Sequence, residues 1–166
     1  MPTRVLLLSL VTVAAAAAAG CGTTKKSGDI GDSLSAKGIQ VTVGEIDATV
    51  PVPKGDITGL TRPRPGAKLF AARVRTCSDH GGATGPYDFG VETTSGERGT
   101  LKYPERNYAK EFDSLRDGCG GGWVVFEIPE ESRAENVTYG FEDTGSGGPG
   151  GETNRVNVKF SWSVPS

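Results

Sequence analysis

The side chains best suited to chemistry in this sequence are three cysteines, Cys21, Cys77 and Cys119, and a single histidine, His80. A nucleophile activated by an imidazole would have to use His80. The neighbouring Asp79 cannot orient it directly, because adjacent residues on extended backbone point to opposite sides. Two cysteines and one histidine are also too few for a structural zinc ion. We therefore predict no catalytic residue, no metal and no cofactor, and we interpret His80 as a loop residue.

A small acidic cluster, Glu111, Asp113 and Asp117, precedes a glycine-rich turn. Carboxylates on a loop can bind calcium, but this spacing lacks the Asp-x-Asp-x-Asp-Gly ladder that wraps the ion. The glycine-rich stretch 143–153 lacks both the lysine and the following helix of a phosphate-binding loop. We expect a solvated loop there, and the sequence leaves open whether the acidic cluster forms a binding surface.

Residues 1–20 have the features of an export signal. One basic residue, Arg4, precedes an apolar run that is short for a membrane-spanning helix, and the run ends in Ala18-Ala19-Gly20-Cys21. This ending resembles the lipobox of bacterial lipoproteins, in which the cysteine receives a diacylglyceryl group, although Ala18 stands where leucine is most common. The prediction is a lipid on Cys21 that holds the chain to the outer face of the cell membrane. The alternative is an ordinary secretory signal cut nearby.

The other two cysteines form an even pair once Cys21 is lipidated. Outside the membrane Cys77 and Cys119 are expected to be oxidised to a disulfide, which would close a loop of about 43 residues and contribute roughly 4 kcal/mol. Cys77 shares its alternation with Arg73 and Arg75 rather than with the apolar residues of its strand. That phase predicts a bulge or a strand end just before Cys77.

Composition limits the class of partner. The 166 residues carry a formal net charge of −2, or −3 once Arg4 leaves with the signal. This charge gives no attraction to nucleic acid, which we exclude as a partner. The 25 glycines and 10 prolines favour short strands joined by many turns over long helices.

The elements that must position these residues are predicted from period-two alternation of apolar side chains. Residues 21–37 are small and polar and are interpreted as the lipidated cysteine and a flexible tether, so that the domain spans 38–166. About seven strands follow, centred on residues 39–43, 69–74, 87–91, 100–103, 123–128, 137–141 and 156–164. Such a series, without a long helix, predicts an all-β, immunoglobulin-like β-sandwich.

The two tryptophans differ in phase. Trp162 alternates with Phe160 and Val164 and is expected in the core. Trp123 is out of phase with Val124 and the apolar residues after it, so its ring is expected on the outer face of its strand. An aromatic ring there could hold a partner, which makes Trp123 the one candidate binding residue.

Three short motifs in order resemble a known domain. They are Gly38-Ile39-Gln40-Val41-Thr42-Val43, then Gly66-Ala67-Lys68-Leu69-Phe70, then Gly122-Trp123-Val124-Val125-Phe126-Glu127-Ile128-Pro129. With the lipobox, this order is similar to the telokin-like, immunoglobulin-like domain of bacterial, especially actinobacterial, lipoproteins and secreted antigens, a domain of unknown function. Where that domain usually has Asn and Pro-Gly, this chain has Thr76-Cys77 and Gly118-Cys119-Gly120. The resemblance implies an extracytoplasmic sandwich and supplies no catalytic residues.

The function expected from these observations is a non-enzymatic interaction module that holds a protein or cell-envelope partner. One alternative is a small-ligand or calcium-binding lipoprotein, and another is an accessory subunit of a cell-envelope enzyme. An interaction module predicts an exposed apolar patch, an enzyme predicts converging carboxylates in a concave site, and a calcium site predicts gathered oxygens around Asp113 and Asp117.

Overall fold

The computed structural model describes residues 23–50, 62–79, 85–102, 113–116, 118–143 and 156–166. Over these residues the chain forms strands joined by turns, with one short 3-10 turn at Pro86–Asp88. The strands are β1 Thr24–Asp29, β2 Ser33–Ala36, β3 Ile39–Asp47, β4 Ala67–Ser78, β5 Phe89–Thr93, β6 Thr100–Lys102, β7 Asp113–Arg116, β8 Cys119–Pro129, β9 Ala134–Asp143 and β10 Val156–Ser163. Within the same residues, no helix has the length and apolar character needed to cross a bilayer.

The strands form two sheets. One has four strands in the order β1-β10-β9-β5, and the other has six, ordered β2-β3-β4-β8-β6 with β7 also paired to β8. The pairing is antiparallel throughout except between β1 and β10, which run parallel. This two-sheet architecture confirms the predicted all-β sandwich.

The alternation in the sequence corresponds to the two faces of each sheet. Inward-facing residues of both sheets form one buried cluster, in which the largest side chains are Trp162, Tyr139, Phe70, Phe126 and Phe160. The rings of Phe89, Tyr139, Phe160 and Trp162 follow one another across the four-stranded sheet, with centroids 5.1 to 6.0 Å apart. Trp162 is fully buried, as its phase predicts, and its Nε1 donates to the carbonyl oxygen of Asp32 at 3.0 Å.

The β4–β8 pair joins the two longest strands of the six-stranded sheet. Its register is continuous from Ala67 opposite Pro129 to Cys77 opposite Cys119. Gly121 makes this close pairing possible at the glycine-rich start of β8, because a Cβ there would collide with the carbonyl oxygen of Val74. β4 has no bulge near its end and continues to Ser78, so the predicted bulge or strand end before Cys77 is wrong.

The structure differs from the expected flexible tether over 21–37. Residues 24–29 form β1 and residues 33–36 form β2, so ordered sandwich begins at Thr24 rather than at Gly38. Both strands lie at sheet edges, where one side of the strand stays in water and few apolar residues are needed. Ile30 and Leu34 supply the inward contacts, since both pack against the core. These two strands and β7 account for the excess over the seven predicted.

Candidate functional site

The residues singled out from the sequence lie in different parts of the molecule. Cys77 and Cys119 are joined by a disulfide, which links cross-strand neighbours on β4 and β8. Cys21, His80, Glu111 and Asp117 lie outside the described residues, and of Asp113 only the backbone, in β7, is described. Among the side chains that are described, no three His, Cys, Asp or Glu residues gather as metal ligands.

The disulfide lies on the outer face of the six-stranded sheet. Cys77 alternates with the inward residues Val74, Thr76 and Ser78, which are buried, and it shares its outward phase with the exposed Arg73 and Arg75. The bond therefore staples two strands from outside the core rather than bridging the two sheets.

Trp123 is also on the outer face of β8, opposite Arg73, as its phase predicts. Its ring is half-buried, however, and packs against a second apolar cluster formed by Val50, Leu69, Ala71 and Val125. That cluster lies on the outside of the six-stranded sheet and is itself buried. Trp123 thus contributes to the cover of this cluster, which is a different role from that of a bare aromatic platform.

A buried carboxylate lies beside this cluster. Glu127, with a side chain that is only 1% exposed, accepts hydrogen bonds from the backbone N–H of Arg64 at 2.9 Å and from the Arg64 guanidinium. Lys102 Nζ lies 3.0 Å from Glu127 Oε2. Burial opposes ionisation of Glu127, but the hydrogen bonds from Arg64 and the ammonium of Lys102 outweigh it and hold the pKa below its ordinary value. The carboxylate is saturated by partners, so it acts as a structural tie.

The outer face of the four-stranded sheet has a different character. Its middle row consists of small residues placed side by side across the four strands: Gly90 on β5, Thr138 on β9, Ser161 on β10 and Ser27 on β1. Gly140 lies in the next row on β9, and a Cβ there would meet nothing within 4 Å. The small side chains leave a shallow depression of about 720 Å³ on this face, which we call the outer-face depression.

Charged groups surround the outer-face depression on two sides. Lys159 lies opposite Gly140 and beside Lys25, which gives one rim two adjacent ammonium groups. The rim toward the far end of β5 contains Glu92, which accepts a hydrogen bond from Asn136 Nδ2 at 3.4 Å, together with Arg98. The hydroxyl groups of Ser27, Thr138 and Ser161 thus lie between a basic rim and a rim that carries one acidic and one basic residue.

Asp88 also lines this depression, and Tyr139 lies next to it with its ring in the core. Burial raises the pKa of the Asp88 carboxyl, and a hydrogen bond from the backbone N–H of Gly85, at 2.8 Å, partly opposes that rise. Burial and the charge of Asp88 raise the pKa of Tyr139, so its hydroxyl stays protonated. Within the described part of the chain this hydroxyl has no hydrogen-bond partner.

This arrangement can donate and accept hydrogen bonds over an open surface and can pair with charges of either sign. It suits a polar segment of a peptide or glycan better than an apolar ligand. The expected exposed apolar patch is not what the structure presents: among the described residues, Tyr87 is the one large hydrophobic side chain that is exposed, at 74%. In the sequence, the only sign of this depression is the small size of four outward-facing residues, Gly90, Thr138, Gly140 and Ser161. Their positions side by side depend on strand register, which the sequence pattern does not give.

No protein-family profile and no curated protein matches this chain. The assignment to the telokin-like family therefore stays a prediction. Two solved structures share the fold. A candidate lipoprotein of Bacillus subtilis is 15% identical with a TM-score of 0.54, covering 79% of this chain, and this chain spans only 38% of its length. The secreted Mycobacterium tuberculosis protein MPT63 is 12% identical with a TM-score of 0.52, and the match covers 87% of this chain and the full length of MPT63. At these identities the similarity establishes a common β-sandwich fold and nothing finer.

Proposed function

We propose that this protein is a lipid-anchored, extracytoplasmic β-sandwich that acts as a non-enzymatic interaction module of the cell envelope. Three observations support the location. The sequence places a cysteine directly after Ala18-Ala19-Gly20, a disulfide joins Cys77 and Cys119, and the fold is shared with a candidate lipoprotein and a secreted protein. A disulfide of this kind is typical of proteins outside the reducing cytoplasm.

The outer-face depression is the observation that carries the binding role. Small residues occupy the centre of the outward face of four consecutive strands, where larger polar side chains would otherwise cover the backbone. The hydroxyl groups of Ser27, Thr138 and Ser161 give this open surface donors and acceptors that can recognise a polar partner. The partner is a protein or envelope polymer segment that lies across the sheet.

Photo-crosslinking in living cells tests this role. A benzoylphenylalanine in place of the exposed Arg98, at the rim of the depression toward the far end of β5, should give a discrete adduct, whereas the same group in place of the exposed Gln40, on the other sheet, should not. Added to the protein that carries the crosslinker at the rim, Gly140→Trp should fill the depression and abolish the adduct. Gly44→Trp, added to the same protein, is the matched control and should leave the adduct in place, because a Cβ on Gly44 would also meet nothing within 4 Å. Equal adducts in all four proteins would contradict the proposed site.

The lipid anchor needs a separate test. Growth with radiolabelled fatty acid should label the wild-type protein and leave Cys21→Ala unlabelled, and the wild type alone should sediment with membranes. Absence of label from the wild type, or equal label in Cys21→Ala, would contradict the anchor without affecting the outer-face depression.

A further inference from the structure

We propose that the end of the four-stranded sheet at which β1 begins rests on the anionic head groups of the membrane, so that the lipid and this surface together fix the orientation of the sandwich. The inference rests on the proposed lipid at Cys21. We call this surface the basal end; it comprises Lys25 and Lys159 with the Pro86–Asp88 turn.

The spacing between the anchor and the fold is the first argument. Only Gly22 and Thr23 separate Cys21 from Thr24, the first residue of β1. A fully extended chain spans at most about 3.6 Å per residue, so Thr24 lies within about 11 Å of the acylated residue. The head-group layer on each side of a bilayer is itself roughly 5–8 Å thick. The start of β1 is therefore held at the membrane surface.

Strand register identifies what else lies at that end. β1 is parallel to β10, with Thr24 opposite Val158, so the two strands begin at the same end of the sheet. The end of β9 lies there too, because Val156 pairs with Asp143. β5, on the opposite edge, begins two residues further along, since Phe89 pairs with Tyr139 and Tyr139 with Phe160, and the Pro86–Asp88 turn that precedes β5 lies on the side of this end. The four strands span about 14 Å at roughly 4.8 Å per interval.

The side chains at the basal end suit an anionic lipid surface. Lys25 and Lys159 are exposed neighbours, and among the described residues neither takes part in an ion pair. Tyr87, 74% exposed, lies in the turn on the other side of the same end. Tyrosine favours the boundary between head groups and water, and lysine near an anionic surface is attracted to it.

Acidic groups limit the strength of this contact. Asp88, half-buried, and Glu142, exposed, lie at the same end and reduce its net positive charge. The lipid supplies the attachment, and the basal end supplies a preferred tilt. Charge at this end should therefore alter orientation far more than total membrane binding.

Spin labels on the acylated full-length protein test the orientation. The protein is reconstituted into phosphatidylcholine vesicles with and without phosphatidylglycerol, and single labels are attached at Tyr87→Cys or Glu97→Cys. Tyr87 lies just before β5, and Glu97 lies in the turn beyond its other end. We expect the label at 87 to be shielded from a water-soluble nickel reagent and accessible to lipid-soluble oxygen, whereas the label at 97 stays fully exposed to nickel. Equal nickel access at both positions would overturn the proposal.

Removing one charge provides the matched comparison. Lys159→Gln should lower the equilibrium constant for the shielded state at position 87 about fivefold in phosphatidylglycerol vesicles, and the shielded fraction with it, given roughly 1 kcal/mol per lysine at an anionic surface. Arg133→Gln, which removes an exposed charge next to the start of β9 at the opposite end, should leave that fraction unchanged. Identical behaviour of the two variants would contradict a basal contact with anionic lipid.

Vesicle flotation separates the two levels of the proposal. Protein that floats with vesicles but gives equal label exposure at 87 and 97 retains the lipid anchor and refutes the oriented contact. Protein that does not float lacks the anchor, which refutes the proposed attachment and the orientation that rests on it.

Discussion

At the scale of single residues, the buried charge of Glu127 has the clearest energetic consequence. Its carboxylate lies under the segment that contains Arg64 and beside β6, which carries Lys102. Both partners come from outside β8, so the group ties two other parts of the chain to the longest strand pair. The Glu45–Arg73 pair has the same chemistry but is more than half exposed on both sides, which makes it a suitable comparison.

Glu127→Gln is expected to lower the free energy of unfolding at neutral pH by about 2 kcal/mol, because the hydrogen bonds from Arg64 and the Lys102 ammonium lose their charged acceptor. Glu45→Gln should cost less than about 1 kcal/mol, since water screens that pair. Urea unfolding at pH 7 measures both. Similar losses in the two variants would show that the Glu127 cluster contributes no more than a surface ion pair.

The lowered pKa of Glu127 also predicts how stability changes with pH. A carboxyl that ionises more readily in the folded than in the unfolded chain stabilises the fold above its unfolded pKa, which is about 4.3. That contribution is lost as the pH falls through the lower folded value. The wild type should therefore lose stability below about pH 4 more steeply than Glu127→Gln, and parallel acid titrations would contradict this assignment.

Tyr139 offers the opposite case, a buried polar atom without a partner among the described residues. Tyr139→Phe keeps the ring contacts with Phe89 and Phe160 and removes a desolvated hydroxyl, so it should raise the unfolding free energy by about 1 kcal/mol. Thr76→Val tests the same idea, because the Thr76 hydroxyl is also buried and has no hydrogen-bond partner among the described residues. Trp162→Phe should destabilise, because it loses the hydrogen bond to Asp32. Loss of stability in Tyr139→Phe would indicate that the hydroxyl has a partner.

At the scale of elements, the N-terminal strands change the view of how the domain begins. β1 covers the edge of β10 with six residues in parallel register, and β2 extends the other sheet beyond β3. Between them, Asp32 accepts the indole hydrogen bond of Trp162. β1 thus belongs to the four-stranded sheet and β2 to the six-stranded sheet, and the turn between them contacts Trp162 in the core.

Deleting residues 22–36 should therefore destabilise the domain. The partial burial of Ile30 and Leu34 contributes about 1 kcal/mol each and the Trp162 hydrogen bond about 1 more, so a loss near 3 kcal/mol is expected. Deleting 22–23 alone is the control and should have no effect. The measurement is the midpoint of urea unfolding for the wild type and for each of the two deletion variants. Equal midpoints in all three would indicate that residues 22–36 are a tether that adds nothing to the stability of the domain.

The seven strands predicted from alternation are all present, since strands with one buried face leave a period-two record in the sequence. β1 and β2 left none: edge strands with backbone pairing on one side need few apolar residues, and Thr24–Asp29 has none. The outer-face depression was missed for another reason. Gly90, Thr138 and Ser161 are far apart in the sequence and become neighbours only through register, which alternation does not specify.

At the scale of the whole molecule, the Cys77–Cys119 disulfide acts mainly on the unfolded chain. The 42-residue separation includes β5, β6 and β7, so the bond restricts a large part of the denatured ensemble. On the chain-entropy account, Cys77→Ala with Cys119→Ala should cost about 4 kcal/mol. Reductant should destabilise the wild type by a similar amount and leave the double variant unaffected, and a wild type insensitive to reductant would contradict this role.

The parallel pairing of β1 with β10 also sets where the polypeptide leaves the fold. Both strands start at the same end, so residues after Ser163 emerge at the opposite pole, roughly 25 Å away for eight residues at about 3.3 Å each. Under the proposed lipid anchor, a fluorescent or affinity fusion placed after Ser166 would stand away from the bilayer, reachable by antibody on intact spheroplasts. The same geometry makes the end of β10 a suitable point at which to immobilise the protein without covering the start of β1, where the proposed anchor lies.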